Sequence, residues 1–446
     1  MSSFTLTHRR ILYSLFFLVF FITAPIVILW AEGYRYNFSQ HRLQKTGVLF
    51  LESKPARAEI YLNNKLQNAK TTARLKNLLP DEYLVEIKKE GYQPWQKKLK
   101  VEEGQTTFTQ YIRLFKSDPK IENILTKKIT LTSQVVNNDL ALVFTENNSN
   151  FLAIFSLENK KLTELTALNF MPQEIELSPQ AKFILLTTPY AEKLVFDIAQ
   201  QKIINLTSLA QKNAQTARWQ IDERDEILFL QTTNGLLKTN LVSKESIALL
   251  NFPILDFYIS NSSIYFLQNS NSQILLNKAE LNDLRNIQTL VTLPISDNYE
   301  FQKSSNKYLS LLDKKNSIFY LMRLEDNPPA GGKEIFPEVD YIRWSPDEKT
   351  VLLANDFEIL VYDLEKQEKN LIVRLSQKIF SARWYPIATH IVYLTADNIK
   401  TVEYIDIEKY FNVLVEQANI QNFFINSTGN EIYFIDEQGI NLVEIQ

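Results

Sequence analysis

The side chains that most often perform acid–base, nucleophilic or metal chemistry are rare in this chain of 446 residues. It contains no cysteine and three histidines, His8, His41 and His390. The lack of cysteine excludes disulfides, a cysteine nucleophile and a thiolate zinc site. A Ser-His-Asp triad in the distal part of the chain has only His390 to draw on, and a histidine metal site needs several converging ligands. Since His390 lies in the apolar stretch YPIATHIVYL, we expect it to pack in a strand. The sequence predicts no catalytic residue, no metal site and no cofactor.

Charged residues instead recur at one position relative to a series of apolar anchors. The anchors follow one another at intervals of 38 to 44 residues and are Val136, Leu177, Trp219, Phe257, Phe301, Trp344, Trp384 and Phe424. The residue directly before the anchor is charged in six cases, and these pre-anchor residues are Glu176, Arg218, Asp256, Glu300, Arg343 and Arg383. Val135 and Phe423 occupy the position in the other two. One interpretation is a charged channel mouth that grips a polar ligand or peptide. The other is a set of ion pairs that order neighbouring repeats, for which the mixed signs predict at least two opposite-sign pairs in contact.

The repeats that carry these anchors predict a β-propeller. ARWQIDERDEILFL, IRWSPDEKTVLLAND and ARWYPIATHIVYLT each combine an aromatic residue, a turn and an apolar strand. A period of 40 to 45 residues with about four short strands per unit is typical of propeller blades. We therefore expect residues 116–446 to form a propeller of eight blades, with seven as the alternative. The last repeat supplies three strands, so a strand near 120–127 would complete it and close the ring, which removes an open sheet edge.

The sequence RWSPDEK resembles the Trp-Ser-Pro-Asp-Gly-Lys motif of TolB-type and WD40-like propellers. Glu348 stands where that motif has glycine. The resemblance implies a propeller fold and leaves the ligand open.

Residues 46–115 predict a small all-β unit, because short strands there alternate with turn signals. These residues resemble the PEGA domain. The matching positions are Ser53, Pro55, Ala58, Pro80, Tyr83, Gly91, Tyr92, Pro94 and Trp95. Ala56 and Arg57 replace the Glu-Gly of the family motif. The resemblance implies a β-sandwich found in envelope and surface proteins, with no catalytic residues to transfer. The whole chain thus resembles a bacterial PEGA-domain membrane protein with a C-terminal propeller.

An uncharged apolar segment near the N-terminus predicts a transmembrane helix over residues 11–31. Twenty helical residues span about 30 Å, the thickness of a bilayer core. Residues 1–10 would form a short tail and residues 32–45 a spacer. Arg9 and Arg10 would lie at one membrane interface, with Trp30 and Tyr34 at the other. A cleaved signal peptide is the alternative, but its apolar core would be shorter. The position of Arg9 and Arg10 favours a cytoplasmic N-terminus and an extracytoplasmic bulk.

The net charge of −3 gives no basic field that would favour nucleic acid. The sequence as a whole predicts an envelope-anchored, non-catalytic binding or scaffold protein. Its expected partners are the lipid bilayer and an unidentified envelope protein, peptide or glycan. An extracytoplasmic propeller hydrolase and a purely structural surface component are the alternatives.

Overall fold

The computed structural model of the protein divides the chain into two compact units. It describes residues 6–38, 40–210, 213–219, 224–260, 262–270, 272–305, 307–324, 333–405 and 409–446, with only the backbone of residues 6–9. The first unit ends at Asp118 and the second runs from Pro119 to Ile445. The chain is mainly β, as the sequence predicts.

The first unit begins with one long helix, α1 (Leu6–Ala31), which contains Pro25. Its stretch Arg10–Ala31 has a mean hydropathy of 2.6, and its large apolar side chains are exposed. At about 1.5 Å per residue these 22 residues are long enough to cross a bilayer. Length and composition therefore fit a single-pass membrane helix or a signal sequence. A short hairpin follows, made of β1 (Tyr34–Asn37) and β2 (Arg42–Lys45).

The rest of the first unit is a pair of small sheets. Its strands are β3 (Gly47–Lys54), β4 (Glu59–Leu62), β5 (Lys65–Lys70), β6 (Ala73–Leu78), β7 (Asp81–Lys88), β8 (Trp95–Val101) and β9 (Thr106–Arg113). One sheet has the order β6-β3-β9, with β3 and β9 parallel, and the other has the order β5-β4-β7-β8. Leu49 and Leu51 of β3, Ile60 of β4, and Val85 and Ile87 of β7 are fully buried. They alternate with more exposed neighbours, because successive strand residues point to opposite faces.

The second unit consists, within the described residues, of eight four-stranded antiparallel sheets. It starts with β10 (Ile121–Leu125). Seven sheets then each use four consecutive strands: β11 (Lys128–Val136), β12 (Asp139–Glu146), β13 (Ser149–Ser156), β14 (Lys161–Leu168); β15 (Glu174–Leu177), β16 (Phe183–Thr187), β17 (Lys193–Asp197), β18 (Lys202–Asn205); β19 (Ala214–Trp219), β20 (Ile227–Thr232), β21 (Gly235–Asn240), β22 (Glu245–Leu250); β23 (Asp256–Ser260), β24 (Ser263–Ser270), β25 (Gln273–Glu280), β26 (Asp283–Leu293); β27 (Tyr299–Phe301), β28 (Tyr308–Asp313), β29 (Ile318–Arg323), β30 (Lys333–Pro337); β31 (Tyr341–Trp344), β32 (Thr350–Ala354), β33 (Glu358–Asp363), β34 (Glu368–Arg374); β35 (Ser381–Trp384), β36 (His390–Leu394), β37 (Asn398–Glu403), β38 (Phe411–Glu416). A short helix, α2 (Leu206–Ala210), follows β18.

The last sheet joins the two ends of the second unit. It combines β39 (Asn422–Ile425), β40 (Glu431–Asp436) and β41 (Gly439–Glu444) with β10, in the order β10-β41-β40-β39. Asn123 of β10 lies opposite Asn441 of β41, and its Nδ2 donates to the Asn441 Oδ1 at 3.0 Å. The pairing covers both strand edges that an open chain would expose.

The apolar anchors lie on the first strand of each sheet, counting β39 for the last one. Seven of the eight are buried, and Val136 is half-buried. They belong to apolar clusters that join consecutive sheets. Trp384, for example, packs with Leu352 and Ile359 of the preceding sheet. The core of the second unit therefore lies between the sheets.

Candidate binding site at the first strands

The anchor and the pre-anchor residue face opposite neighbours, because adjacent residues of a strand point to opposite sides of the sheet. The anchors reach back to the preceding sheet. Trp344 Nε1 donates to the carbonyl oxygen of Lys303 at 2.6 Å, and Trp384 Nε1 donates to that of Arg343 at 2.9 Å. Two of the pre-anchor residues make contacts in the other direction, onto the sheet that follows.

Arg218 is the pre-anchor residue with the most extensive contacts. Its Nη2 donates to both carboxylate oxygens of Asp256 at 3.0 and 2.9 Å, and its Nη1 donates to the Phe301 carbonyl oxygen at 3.1 Å. Asp256 is buried, and it also accepts a 2.6 Å bond from the Phe301 amide. Burial raises the pKa of the Asp256 carboxyl, while Arg218 opposes the shift. This ion pair, of which Asp256 is buried and Arg218 half-buried, ties together three consecutive sheets.

Glu176 and Glu300 carry the remaining negative charges of the set. Water reaches the Glu176 side chain, yet loss of hydration raises its pKa to about 6, with Arg218 and Lys193 opposing the shift. Glu300 forms an ion pair with Lys314, which directly follows β28 of the same sheet.

Arg343 and Arg383 carry positive charge on consecutive sheets. Both are half-buried, and among the described residues the Arg343 Nη1 donates a single long bond, of 3.4 Å, to the Ile342 carbonyl oxygen. Arg383 Nη2 donates to Asn422 Oδ1 at 3.1 Å, and its guanidinium lies 5.5 and 5.1 Å from the ring centres of Phe423 and Phe424. Burial lowers the pKa of both groups. That of Arg383 falls to about 10, with the charge of Arg343 as the next cause.

The expectation of at least two opposite-sign pairs among the pre-anchor residues is therefore wrong. Within the described residues one such pair is in contact, Arg218 with Asp256. The physical reason is competition from other partners. The donors of Arg218 are used by Asp256 and by the Phe301 carbonyl oxygen, and Glu300 pairs with Lys314. Among the described residues, Glu176 and Arg343 therefore have no opposite charge of the set in contact.

His390 lies on β36 with 2% of its surface exposed, as expected for a strand histidine. Its Nδ1 is 2.8 Å from Thr389 Oγ1, and its ring packs edge-on against Tyr385. Within the described part of the chain, no group of three or more His, Asp or Glu residues is placed to hold a metal ion.

A buried hydroxyl pair organises the turn after β3. Ser53 Oγ lies 2.6 Å from Thr71 Oγ1 and donates to the Pro55 carbonyl oxygen at 2.8 Å, while Thr71 Oγ1 accepts from the Ala58 amide at 3.0 Å. These bonds hold the start of β4 against the start of β6. The role of Ser53 is conformational.

Comparison with known protein families decides what this small unit is. Residues 46–114 match the PEGA domain. Of the predicted positions in the PEGA domain, Ser53, Ala58 and Trp95 are buried. Pro55, Pro80, Tyr83 and Tyr92 are half-buried, and Gly91 and Pro94 are exposed. Gly91 has a φ of +80°, which explains why glycine suits that turn. The sequence analysis missed Thr71. Thr71 and Thr72 lie in the bend between β5 and β6, where Thr71 is buried and Thr72 is exposed.

The second unit resembles propellers of known structure. The chain aligns with the Dos1 propeller at 14% identity, over 73% of this chain and 94% of that one, with a TM-score of 0.51. It also aligns with the C-terminal WD40 domain of Sif2, at 13% identity over 73% and 98% of the two chains, with a TM-score of 0.48. At such low identity the likeness shows the propeller fold alone. No curated protein sequence matches the chain.

Of the residues predicted at the membrane interfaces, Trp30 lies in the last turn of α1 and Tyr34 is the first residue of β1. Trp30 is exposed and Tyr34 half-buried, and the guanidinium of Arg35 lies 4.7 Å from the Trp30 ring centre. Arg10 is exposed in α1. The side chain of Arg9 lies outside the described residues.

Sequence reasoning also missed Asp225, which is fully buried between two sheets. It accepts a 2.6 Å bond from Ser178 Oγ and bonds from the backbone amides of Gln180 and Lys182 at 2.8 and 3.1 Å. The carboxylate thereby caps the turn between β15 and β16 from the next sheet along the chain. No local pattern marks it, because its partners are more than forty residues away.

Proposed function

We propose that this protein is a single-pass, envelope-anchored, non-catalytic binding or scaffold protein that presents an eight-bladed β-propeller outside the cytoplasm. The observation that carries the proposal is α1. Its segment Arg10–Ala31 is long and apolar, and none of its residues is buried within the described chain. In water such a surface would be costly, since each exposed apolar side chain forgoes about 1.5–3 kcal/mol of burial.

The eight-bladed ring is supported by the sheets of the second unit. Eight sheets of four strands each pack through apolar clusters, and β10 completes the sheet that contains the C-terminal strand. We infer that each sheet is one blade. The Dos1 likeness supports the fold class of this unit.

A binding role is supported by charges of the second unit that have no oppositely charged partner among the described residues. Glu176, Arg343 and Arg383 have no ion pair within 4 Å among the described residues, although loss of hydration shifts the pKa of all three. Such groups cost stability unless something else uses them. Propellers present loop surfaces and a central channel, which suits recognition, but the choice of partner is a separate question.

The orientation is tested by protease treatment of intact cells that express the chain with a tag at each end. We expect loss of the C-terminal tag in intact cells and survival of the N-terminal tag until lysis, because Arg10 flanks the helix on its short side and long distal domains cross membranes largely regardless of their charge. Digestion of the C-terminal tag only after lysis would overturn the placement.

The binding role is tested by cross-linking in intact cells followed by purification of the full chain. Discrete partners should be recovered that are absent from an unrelated single-pass protein extracted in the same way. Recovery of the same background from both proteins would instead support an inert structural component. A purified chain that hydrolyses envelope substrates would support the hydrolase alternative.

A further inference from the structure

Arg343 and Arg383 are held close together by the backbone of two consecutive sheets. They occupy the same position on β31 and β35, directly before Trp344 and Trp384. The indole of Trp384 donates to the carbonyl oxygen of Arg343 at 2.9 Å, so one inter-sheet bond joins the arginine of one sheet to the residue next to the other arginine. The two cations therefore cannot move far apart without breaking the packing of the anchors.

No carboxylate of the described chain neutralises this pair. Neither guanidinium lies within 4 Å of an Asp or Glu side chain in the part that the structure describes. The Nε of Arg383 is buried without a hydrogen-bond partner among those residues. The neighbouring acids are already engaged, Asp256 by Arg218 and Glu300 by Lys314. The following two repeats offer Phe423 and Val135 at the equivalent position, which carry no charge.

Two neighbouring half-buried cations without an internal counter-charge are unfavourable unless an anion joins them. Guanidinium groups present a planar fork of donors that matches the two oxygens of a carboxylate or phosphate. The charges of the other pre-anchor residues indicate which of the two anions, carboxylate or phosphate, fits better. Asp256 and Glu300 are already paired, so among the described residues Glu176 is the one pre-anchor carboxylate without an ion pair. A phosphate carries close to two negative charges, so Glu176 opposes a phosphate more strongly than it opposes a single carboxylate.

We propose that Arg343 and Arg383 form a binding site for the carboxylate of an acidic segment on a partner protein. This rests on the proposed binding function and names the chemistry that the partner must supply. The expected contact is a pair of charge-assisted hydrogen bonds at the first strands of the sixth and seventh repeats.

The experiment measures binding of a fluorescein-labelled polyglutamate peptide to the full chain in detergent micelles, with a polyglutamine peptide of equal length as the probe control. Arg343→Gln and Arg383→Gln are each expected to weaken polyglutamate binding about tenfold, since hydrogen bonds to charged groups contribute about 1.5–3 kcal/mol. Arg374→Gln is the matched control. It removes the same charge from an exposed arginine on the outermost strand β34, which pairs with Glu358 of β33, and it should leave binding unchanged.

Arg383→Lys guards against a variant that merely unfolds. It keeps the charge and loses the fork, so binding should fall less than with Arg383→Gln while the thermal unfolding midpoint stays close to that of the parent. Equal losses in Arg374→Gln, equal binding of polyglutamine, or no polyglutamate binding to the parent would each overturn the proposal. Binding of inorganic phosphate without polyglutamate would identify a small-anion site and also overturn it. Failure of the protease test in cells would leave this result intact, so the two proposals can fail separately.

Discussion

At the scale of single residues, the second unit keeps charged pre-anchor side chains that have no opposite charge in contact among the described residues. Glu176 is the clearest example, because its carboxylate is crowded by protein and forms no ion pair within 4 Å among the described residues. Arg218 lies close enough to oppose the pKa shift, but its donors are used by Asp256 and the Phe301 carbonyl oxygen. A residue with an internal partner stabilises the fold, whereas one without a partner is available to a ligand.

Glu176→Gln should stabilise the protein at neutral pH and not at acid pH. The pKa of Glu176 is raised from 4.5 to about 6 in the folded state. Between these values the unfolded chain loses its proton first, so the folded state becomes less stable as the pH rises. Above pH 6 we expect the variant to exceed the parent by at most about 1 kcal/mol, a value reduced for the water that reaches the side chain. The measurement is urea unfolding from pH 4 to 8.

Glu158→Gln is the control for that comparison, since it removes the same charge from an exposed turn. A stability difference between Glu176→Gln and the parent that is constant from pH 4 to 8 would contradict the argument. A difference that grows on acidification would also contradict it.

At the scale of elements, the turn between the first and second strands of a sheet recurs with one backbone geometry. Ala181, Glu348, Ala388 and Gly429 all have φ between +53° and +76°. Each donates its amide to the carbonyl oxygen three residues earlier, at 2.8 to 3.0 Å. Only the last of these four turns contains the glycine that the left-handed conformation favours. The Asn63-Asn64, Asn137-Asn138 and Asn147-Asn148 pairs also have positive φ, a conformation that asparagine tolerates better than most residues.

Glu348→Gly should therefore stabilise the chain. An L-residue in the left-handed conformation costs about 1–2 kcal/mol, and glycine removes this cost. Glycine also has more freedom in the unfolded state, which lowers stability by about 0.5–1 kcal/mol. We expect a net increase of about 0.5 kcal/mol, measured by thermal or urea unfolding.

Lys349→Gly is the matched control, because Lys349 is the exposed next residue and its φ is not positive. That change should lower stability by about 0.5–1 kcal/mol. Equal destabilisation by Glu348→Gly and Lys349→Gly would contradict the claim that the left-handed conformation of Glu348 destabilises the parent chain.

At the scale of the whole molecule, the pairing of β10 with β41 decides whether the second unit is a closed ring or an open array. Asn123 and Asn441 are directly opposite each other and their side chains touch, so they point to the same face. Opposite residues of an antiparallel pair have Cα atoms about 4.5–5.5 Å apart, which suits a disulfide. The natural chain has no cysteine that could compete.

The double variant Asn123→Cys and Asn441→Cys should form a disulfide on oxidation. Because the bond closes a very long loop, we expect it to raise the free energy of unfolding by about 2–4 kcal/mol. The gain should disappear on reduction, and each single variant should show none. Free thiols after mild oxidation, or a disulfide without stabilisation, would argue against a ring closed at this point.

The sequence alone determined the features that depend on local pattern. Composition alone marks the uncharged segment from Ile11 and the turn residues of the PEGA domain. A regular spacing marks the anchors. A strand was expected near 120–127, and β10 is Ile121–Leu125. Such features are readable because helix length, strand alternation and turn chemistry act over a few residues.

The tertiary structure alone decided which side chains meet across sheets. It joined Arg218 to Asp256 and Phe301, placed Asp225 on a turn of another sheet, and left Arg343 beside Arg383. These contacts join residues about forty or more positions apart, and the same charge pattern would allow other pairings. Contact between distant residues depends on how neighbouring sheets pack, and no short stretch of the chain encodes that packing.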